Sequence, residues 1–160
     1  MQTAKGSYIG YFQRRGGIED AERRLKCFPS NRLTNKIVLD IGCSSGEFTM
    51  LMAKKFKPQS VLGVDIDQKL IDTANNYLQA EKSKYLLTDN AYNANTKKKL
   101  VPRIVVQKPS IQTASKIYER KDYPYNVNFT CSTILDNSIV SRSYDTIFCL
   151  SVVKWIHLVL

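Results

Sequence analysis

The run Asp40-Ile41-Gly42-Cys43-Ser44-Ser45-Gly46 is the first place in this chain where residue types and spacing suggest chemistry. Glycines in such a run let the backbone turn sharply and approach a ligand closely. The spacing is not the GxGxxG of a dinucleotide site, and no GKS or GKT phosphate loop is present. Asp40, directly before the turn, would repel a pyrophosphate but can face a cationic amino-acid end group. A second acid follows in Val64-Asp65-Ile66-Asp67. A carboxylate roughly 20 residues beyond such a turn can accept hydrogen bonds from both hydroxyls of a ribose. Asp65 ends the apolar run and is the better candidate, whereas Asp67 reads as the N-cap of the helix that follows. Either motif alone could be an ordinary turn or cap. In register within one βαβ unit, they point to a nucleoside ligand.

These residues need a scaffold, and the hydrophobic pattern supplies one. Ile37 to Ile41 reads as a strand buried on both faces. Phe48, Leu51, Met52 and Phe56 then recur at helical spacing until Pro58. Val61 to Val64 reads as a second strand, and Leu70, Ile71, Ala74 and Leu78 as a second helix. Two such units in close succession imply parallel strands joined by right-handed crossovers. Val127 to Cys131 and Tyr144 to Leu150 are further strands, and Asp20 to Phe28 is a short helix before the first. The Asn- and Lys-rich stretch between Glu81 and Pro124 breaks the rhythm and reads as a flexible insertion. The expected organisation is a basic, aromatic arm over 1–35 and a nucleoside-binding domain over 36–160, interrupted by the insertion 81–124.

Composition narrows the partners. The net charge is +10, with eight Lys and Arg against three acids in residues 1–36 and eight against one in 97–121. That imbalance suits a polyanion, and nucleic acid ranks ahead of a membrane because no amphipathic anchor is visible. Cys27, Cys43, Cys131 and Cys149 lack CxxC spacing, and His157 is the only histidine, so a zinc site lacks its ligand pattern. No signal-type apolar stretch begins the chain, and an intracellular protein is expected.

VLDIGCSSGEFTMLMA followed by LGVDIDQKLIDTA resembles the S-adenosylmethionine-binding core of class I methyltransferases. With GSYIGYF near the start and CLSVVKWIHL near the end, the chain resembles the Bicoid-interacting family of RNA methyltransferases. That family includes the methylphosphate capping enzyme of small nuclear RNA. The resemblance runs from about Gly6 to Leu158, outside the insertion. It implies an α/β, Rossmann-like class I fold of which only the N-terminal part, about four of the usual seven strands, is visible. The chain is therefore expected to be a fragment.

The resemblance implies S-adenosyl-L-methionine contacts at Arg15, Gly42, Cys43, Ser44, Asp65, Ile66 and Leu150, to which the turn itself adds Asp40 and Gly46. Beside the adenine the family usually has Gly-Asn-Tyr. Here Cys131-Ser132-Thr133 stands in that place, leaving Ser132 and Thr133 as hydroxyl contacts without the ring. In the N-terminal motif, Gln13-Arg14 replaces a Gly-Tyr pair. Lys154 and His157 are the expected catalytic residues, with Tyr8, Tyr11, Arg14 and Trp155 toward the substrate and Lys97 to Lys99 near more distant phosphates. The implied partner is a 5′-phosphorylated small RNA, and the implied compartment is the nucleus. A phosphate oxygen is already anionic near neutral pH, so transfer to it needs alignment and fixed positive donors rather than a general base. The alternatives are a class I methyltransferase for another acceptor, or a non-catalytic RNA-binding remnant.

Overall fold

The computed structural model describes residues 10–29, 31–96 and 122–152. Strands β1 (Ile37–Ile41), β2 (Ser60–Asp65), β3 (Val127–Cys131) and β4 (Thr146–Phe148) form one parallel sheet in the order β3-β2-β1-β4. Helices α1 (Tyr11–Arg14) and α2 (Gly17–Leu25) precede the sheet. Helix α3 (Glu47–Phe56) links β1 to β2, α4 (Gln68–Thr96) follows β2, and α5 (Asn137–Val140) lies between β3 and β4. This is the expected Rossmann-like α/β architecture, with four strands among the described residues.

Alternation along β1 sends Val38 and Asp40 to one face and Leu39 to the other. The first face carries the main core, where Val38, Val61, Val127 and Phe148 meet Met50, Met52 and Phe56 of α3 and Ile71 and Leu78 of α4. The second face carries a smaller cluster of Leu39, Val64 and Ile139. Helix α3 turns Thr49, Met52, Ala53 and Phe56 inward at i, i+3, i+4 and i+7. It closes on Lys57 in the left-handed conformation, whose N–H donates to the Ala53 carbonyl, and Pro58 prevents continuation.

Two expectations need correction. The insertion does not begin at Glu81, because α4 runs on through Thr96. Glu81 is buried, accepting hydrogen bonds from Tyr123 Oη at 3.2 Å and Lys84 Nζ at 2.7 Å, and Tyr85 packs edge-on against Tyr123. A polar sequence thus stays helical because Tyr123, from the segment before β3, holds it. Residues 97–121 lie outside the described residues. The fourth strand is also shorter than Tyr144 to Leu150, since its pairing with β1 covers only Thr146 to Phe148. Asp145 is diverted to accept the Ile37 N–H at 2.8 Å, and Tyr144 joins the smaller cluster.

Phe129 of β3 leans across its neighbour strand. A Cβ on Gly63 would lie 2.6 Å from Phe129 Cδ1, and one on Gly46 would lie 2.7 Å from Phe129 Cζ. Gly46 also has φ +83° as it opens α3, a conformation that other residues adopt with strain. The two glycines therefore let an aromatic ring fill the space beneath the turn. Gly63→Ala should cost about 1–3 kcal/mol through overpacking, read as a lower urea midpoint, and Phe129→Leu in the same chain should recover part of it. An unchanged midpoint for the single variant would remove Phe129 from this role.

Candidate functional site

The turn between β1 and α3 is tied to β2 by its own amides. The N–H groups of Gly42 and Cys43 donate to the Val64 carbonyl at 2.8 and 3.0 Å, and that of Ser44 donates to Asp65 Oδ2 at 2.9 Å. Asp65 Oδ1 accepts the Asp67 N–H at 3.0 Å. A phosphate cradle needs such amides free to point at the anion. Here those of Gly42, Cys43 and Ser44 are already engaged, which argues against phosphate binding on them. Asp67 Oδ1 accepts the Lys69 N–H at 2.8 Å, the expected N-cap of α4.

Asp40 is the unusual group. Its side chain faces α3 and is 3% exposed, and its Oδ2 accepts a hydrogen bond from Thr49 Oγ1 at 2.5 Å. No cationic side chain among the described residues pairs with it. Burial pushes its pKa up to about 7. The Thr49 hydrogen bond opposes that shift, and the neighbouring Asp65 charge adds to it.

A cavity of about 60 Å³ opens beside this carboxylate, lined also by Arg15, Gly42, Cys43, Ser44, Leu150, Arg24 and Phe48. One water needs about 10–15 Å³ of such volume, so the cavity is on the scale of an amino-acid head group rather than a whole nucleoside. Arg24 is held by Asp20 at 2.6 Å, whereas Arg15 enters no ion pair among the described residues. The lining therefore holds Asp40 without a cationic partner among the described residues, a second acid in Glu47, and the available cation Arg15, charges of both signs that suit a zwitterion. Cys43 lines it too, but burial pushes its thiol pKa far up and keeps it neutral.

The sites expected from the sequence divide into groups. Arg15, Asp40, Gly42, Cys43, Ser44 and Leu150 come together around the cavity. Asp65 and Ile66 lie at the end of β2, with Ser132 N–H donating to the Asp65 carbonyl at 2.9 Å. The Ser132 and Thr133 side chains already serve the turn into α5. Ser132 Oγ donates to Asp136 Oδ2 at 2.9 Å, and Thr133 Oγ1 accepts the Leu135 N–H. Gly46 does not line the cavity, and its missing side chain makes room for Phe129 and Ala74. Arg14 is exposed outside the cavity lining, and Tyr11 opens α1. Tyr8, Lys97 to Lys99, Lys154, Trp155 and His157 lie outside the described residues. Val152, just before the last group, packs on Gly42, where a Cβ would meet its Cγ2 at 2.8 Å. Sequence reasoning missed Arg24, Phe48 and Thr49. Thr49 left a signal, a small polar residue in the inward register of Met52 and Phe56.

A family model described as "Putative methyltransferase" matches residues 34–109, a stretch that contains both Asp40 and Asp65. The chain is 33% identical over 164 residues to "Probable RNA methyltransferase" of Arabidopsis thaliana, covering 96% of this chain and 50% of that protein. It is 32% identical over 124 residues to the U6 snRNA methylphosphate capping enzyme Amus of Drosophila melanogaster, covering 78% and 32%. The 7SK snRNA methylphosphate capping enzyme of Homo sapiens is 26% identical over 176 residues, covering 96% and 25%. The chain belongs to this methyltransferase family. It spans half the length of the plant relative and smaller shares of the animal ones. In open α/β sheets ligands bind beyond the carboxyl ends of the strands, and in this chain that edge carries Asp40, the turn and Asp65.

Native Asp40 holds its proton up to about pH 7, whereas an unfolded aspartate releases it near its ordinary value. The native state therefore binds more protons between those two values, and ligand-free stability should fall as pH rises toward 7. Asp20, Glu81, Asp136 and Asp145, whose pKa values are lowered, act below that window. Urea midpoints measured from pH 5 to 8 should drop by the equivalent of roughly 3 kcal/mol, and Asp40→Asn should flatten the curve. A wild-type curve that is flat or rising would contradict the burial of an uncompensated carboxylate.

Proposed function

We propose that this chain is the donor-binding part of an S-adenosylmethionine-dependent RNA methyltransferase whose acceptor is the 5′-terminal phosphate of a small RNA. The observation that carries the donor assignment is Asp40, a buried carboxylate that lacks a cationic partner among the described residues and borders a cavity of amino-acid size. Burying an ionised carboxylate without a partner is strongly unfavourable, and a cationic ligand removes that penalty. When bound, S-adenosylmethionine supplies a methyl group activated by its sulfonium charge.

The residues then divide the work. Asp40 holds the amine end of the donor, and Arg15 its carboxylate. Asp65 keeps lone pairs for ribose hydroxyls beyond the two N–H groups it already accepts. Ile66, Ser132 and Thr133 flank the base, and Leu150 closes the apolar wall. Lys154 and His157 are proposed to hold and orient the phosphate acceptor, with Arg14, Tyr8, Tyr11 and Trp155 on the RNA side. The arm over 1–35 and the basic residues of 97–121 supply charge for the same polyanion. Relatives named for RNA methylation and for capping of U6 and 7SK snRNA support the acceptor class, and they suggest the nucleus as the compartment. Among the described residues no helix is long and apolar enough to cross a membrane.

Asp65→Ala should weaken donor binding about ten- to a hundredfold, as expected for lost hydrogen bonds to a charged group, measured by titration calorimetry. In a transfer assay, triphosphate-ended RNA should accept the methyl group, while the same RNA stripped of its phosphates and small-molecule acceptors should not. Equal methylation of the stripped RNA would rule out the phosphate acceptor. Unchanged donor affinity in Asp65→Ala would rule out the ribose contact.

A further inference from the structure

The donor turn occupies the carboxyl edge of the sheet, and a separate charged surface occupies the opposite edge. Lys54 and Lys55 end α3, and Lys57 caps it just before β2. The turn containing Arg32 is stitched to the same place, with Thr34 Oγ1 donating to the Phe56 carbonyl at 3.2 Å and Asn35 N–H donating to that of Lys57 at 3.5 Å. All four cations are exposed, and none enters an ion pair among the described residues. The acids Asp145 and Glu81 at this edge are paired with Lys36 at 3.4 Å and Lys84 at 2.7 Å, and of the four patch cations Lys54 also bears on Glu81, at longer range. Lys82 adds a further cation beside them, over the Tyr125 ring at 6.0 Å.

Helix-dipole stabilisation accounts for basic residues in the last turn of α3, but not for Arg32, which lies in another segment. Nor does it account for Lys57, which has φ +49°, where glycine is usual and a side chain is strained. We propose that Arg32, Lys54, Lys55 and Lys57 form a second contact for the RNA backbone, at the edge of the sheet remote from the donor turn. The inference rests on the RNA reading above and adds where the body of the RNA runs. Strand β1 has five residues, so the two edges are about 16 Å apart at roughly 3.3 Å per residue. A strand stacked at about 3.4 Å per nucleotide needs about five nucleotides to cross that distance. A trinucleotide held at the methylated end cannot reach the patch, but a longer RNA can.

The test compares 5′-triphosphorylated RNAs of about three and about twenty nucleotides on the full chain, titrated across salt concentrations. The triple variant Lys54→Gln, Lys55→Gln, Lys57→Gln should lower the slope of log affinity against log salt for the long RNA by about 2, at roughly 0.7 per phosphate contact. Its affinity for the long RNA should fall about tenfold or more at low salt, with trinucleotide binding unchanged. The Lys→Arg triple variant keeps the charge and should restore both slope and affinity, which separates charge from fold. An unchanged slope and affinity in the Gln variant would overturn the second contact and leave the donor site and its RNA reading standing. A wild-type chain that binds neither RNA would overturn the RNA reading and this surface together.

Discussion

The structure turns on one buried charge. Asp40 sits next to the carboxyl end of β1, its side chain accepts one hydrogen bond among the described residues, from Thr49, and burial has raised its pKa to about 7. A core that only had to be stable would place an apolar residue at this position, continuing the pattern of Val38 and Leu39. The carboxylate weakens the ligand-free fold in its ionised form and prepares a strong site for a cation that reaches it. Among the described residues no cation supplies its countercharge, which is why a cationic ligand is proposed to do so, with Arg15 of the same cavity facing the carboxylate of an amino-acid end group.

The neighbours of Asp40 tie the turn to the sheet. Val64 and Asp65 draw the amides of the turn onto β2, so the end of one strand fixes the loop leaving the next. Phe129 fills the space left by Gly63 and Gly46 and supports the turn from below. Thr49 reaches Asp40 only because α3 starts immediately after Gly46 and turns that position inward. Asp65 thus has a structural duty as well as its proposed contact with ribose, since it holds Ser44 at φ +52°, a strained conformation outside glycine.

The parallel sheet and the glycine turn are legible because local signals agree there. β-branched runs, a glycine turn, a proline stop and an N-cap aspartate all pointed to the same βαβ unit, and β1, α3, β2 and β3 form close to where periodicity places them. The full length of helix α4 is not legible, because its second half carries asparagines and lysines instead of an apolar stripe. The more telling signal was the lack of any glycine or proline between Gln68 and Val101. Its anchor, Tyr123, lies far away in sequence, so no local pattern could reveal it. Arg24 and Phe48 reach the cavity through the packing of α2 on α3, information that exists only in three dimensions. Ser132 and Thr133 were legible as polar residues after β3, but not as partners of the α5 cap.

The account is tested most directly by proton release on donor binding. Calorimetry of S-adenosylmethionine binding near pH 6.5, repeated in buffers of different ionisation enthalpy, counts the protons exchanged. A carboxylate with a pKa of about 7 that becomes ionised against a bound cation must release a large fraction of one proton. Affinity should then climb close to tenfold per pH unit between about pH 5 and 6.5, and Asp40→Asn should remove both effects. Binding that exchanges no proton and ignores pH over that range would show that Asp40 does not meet the cation.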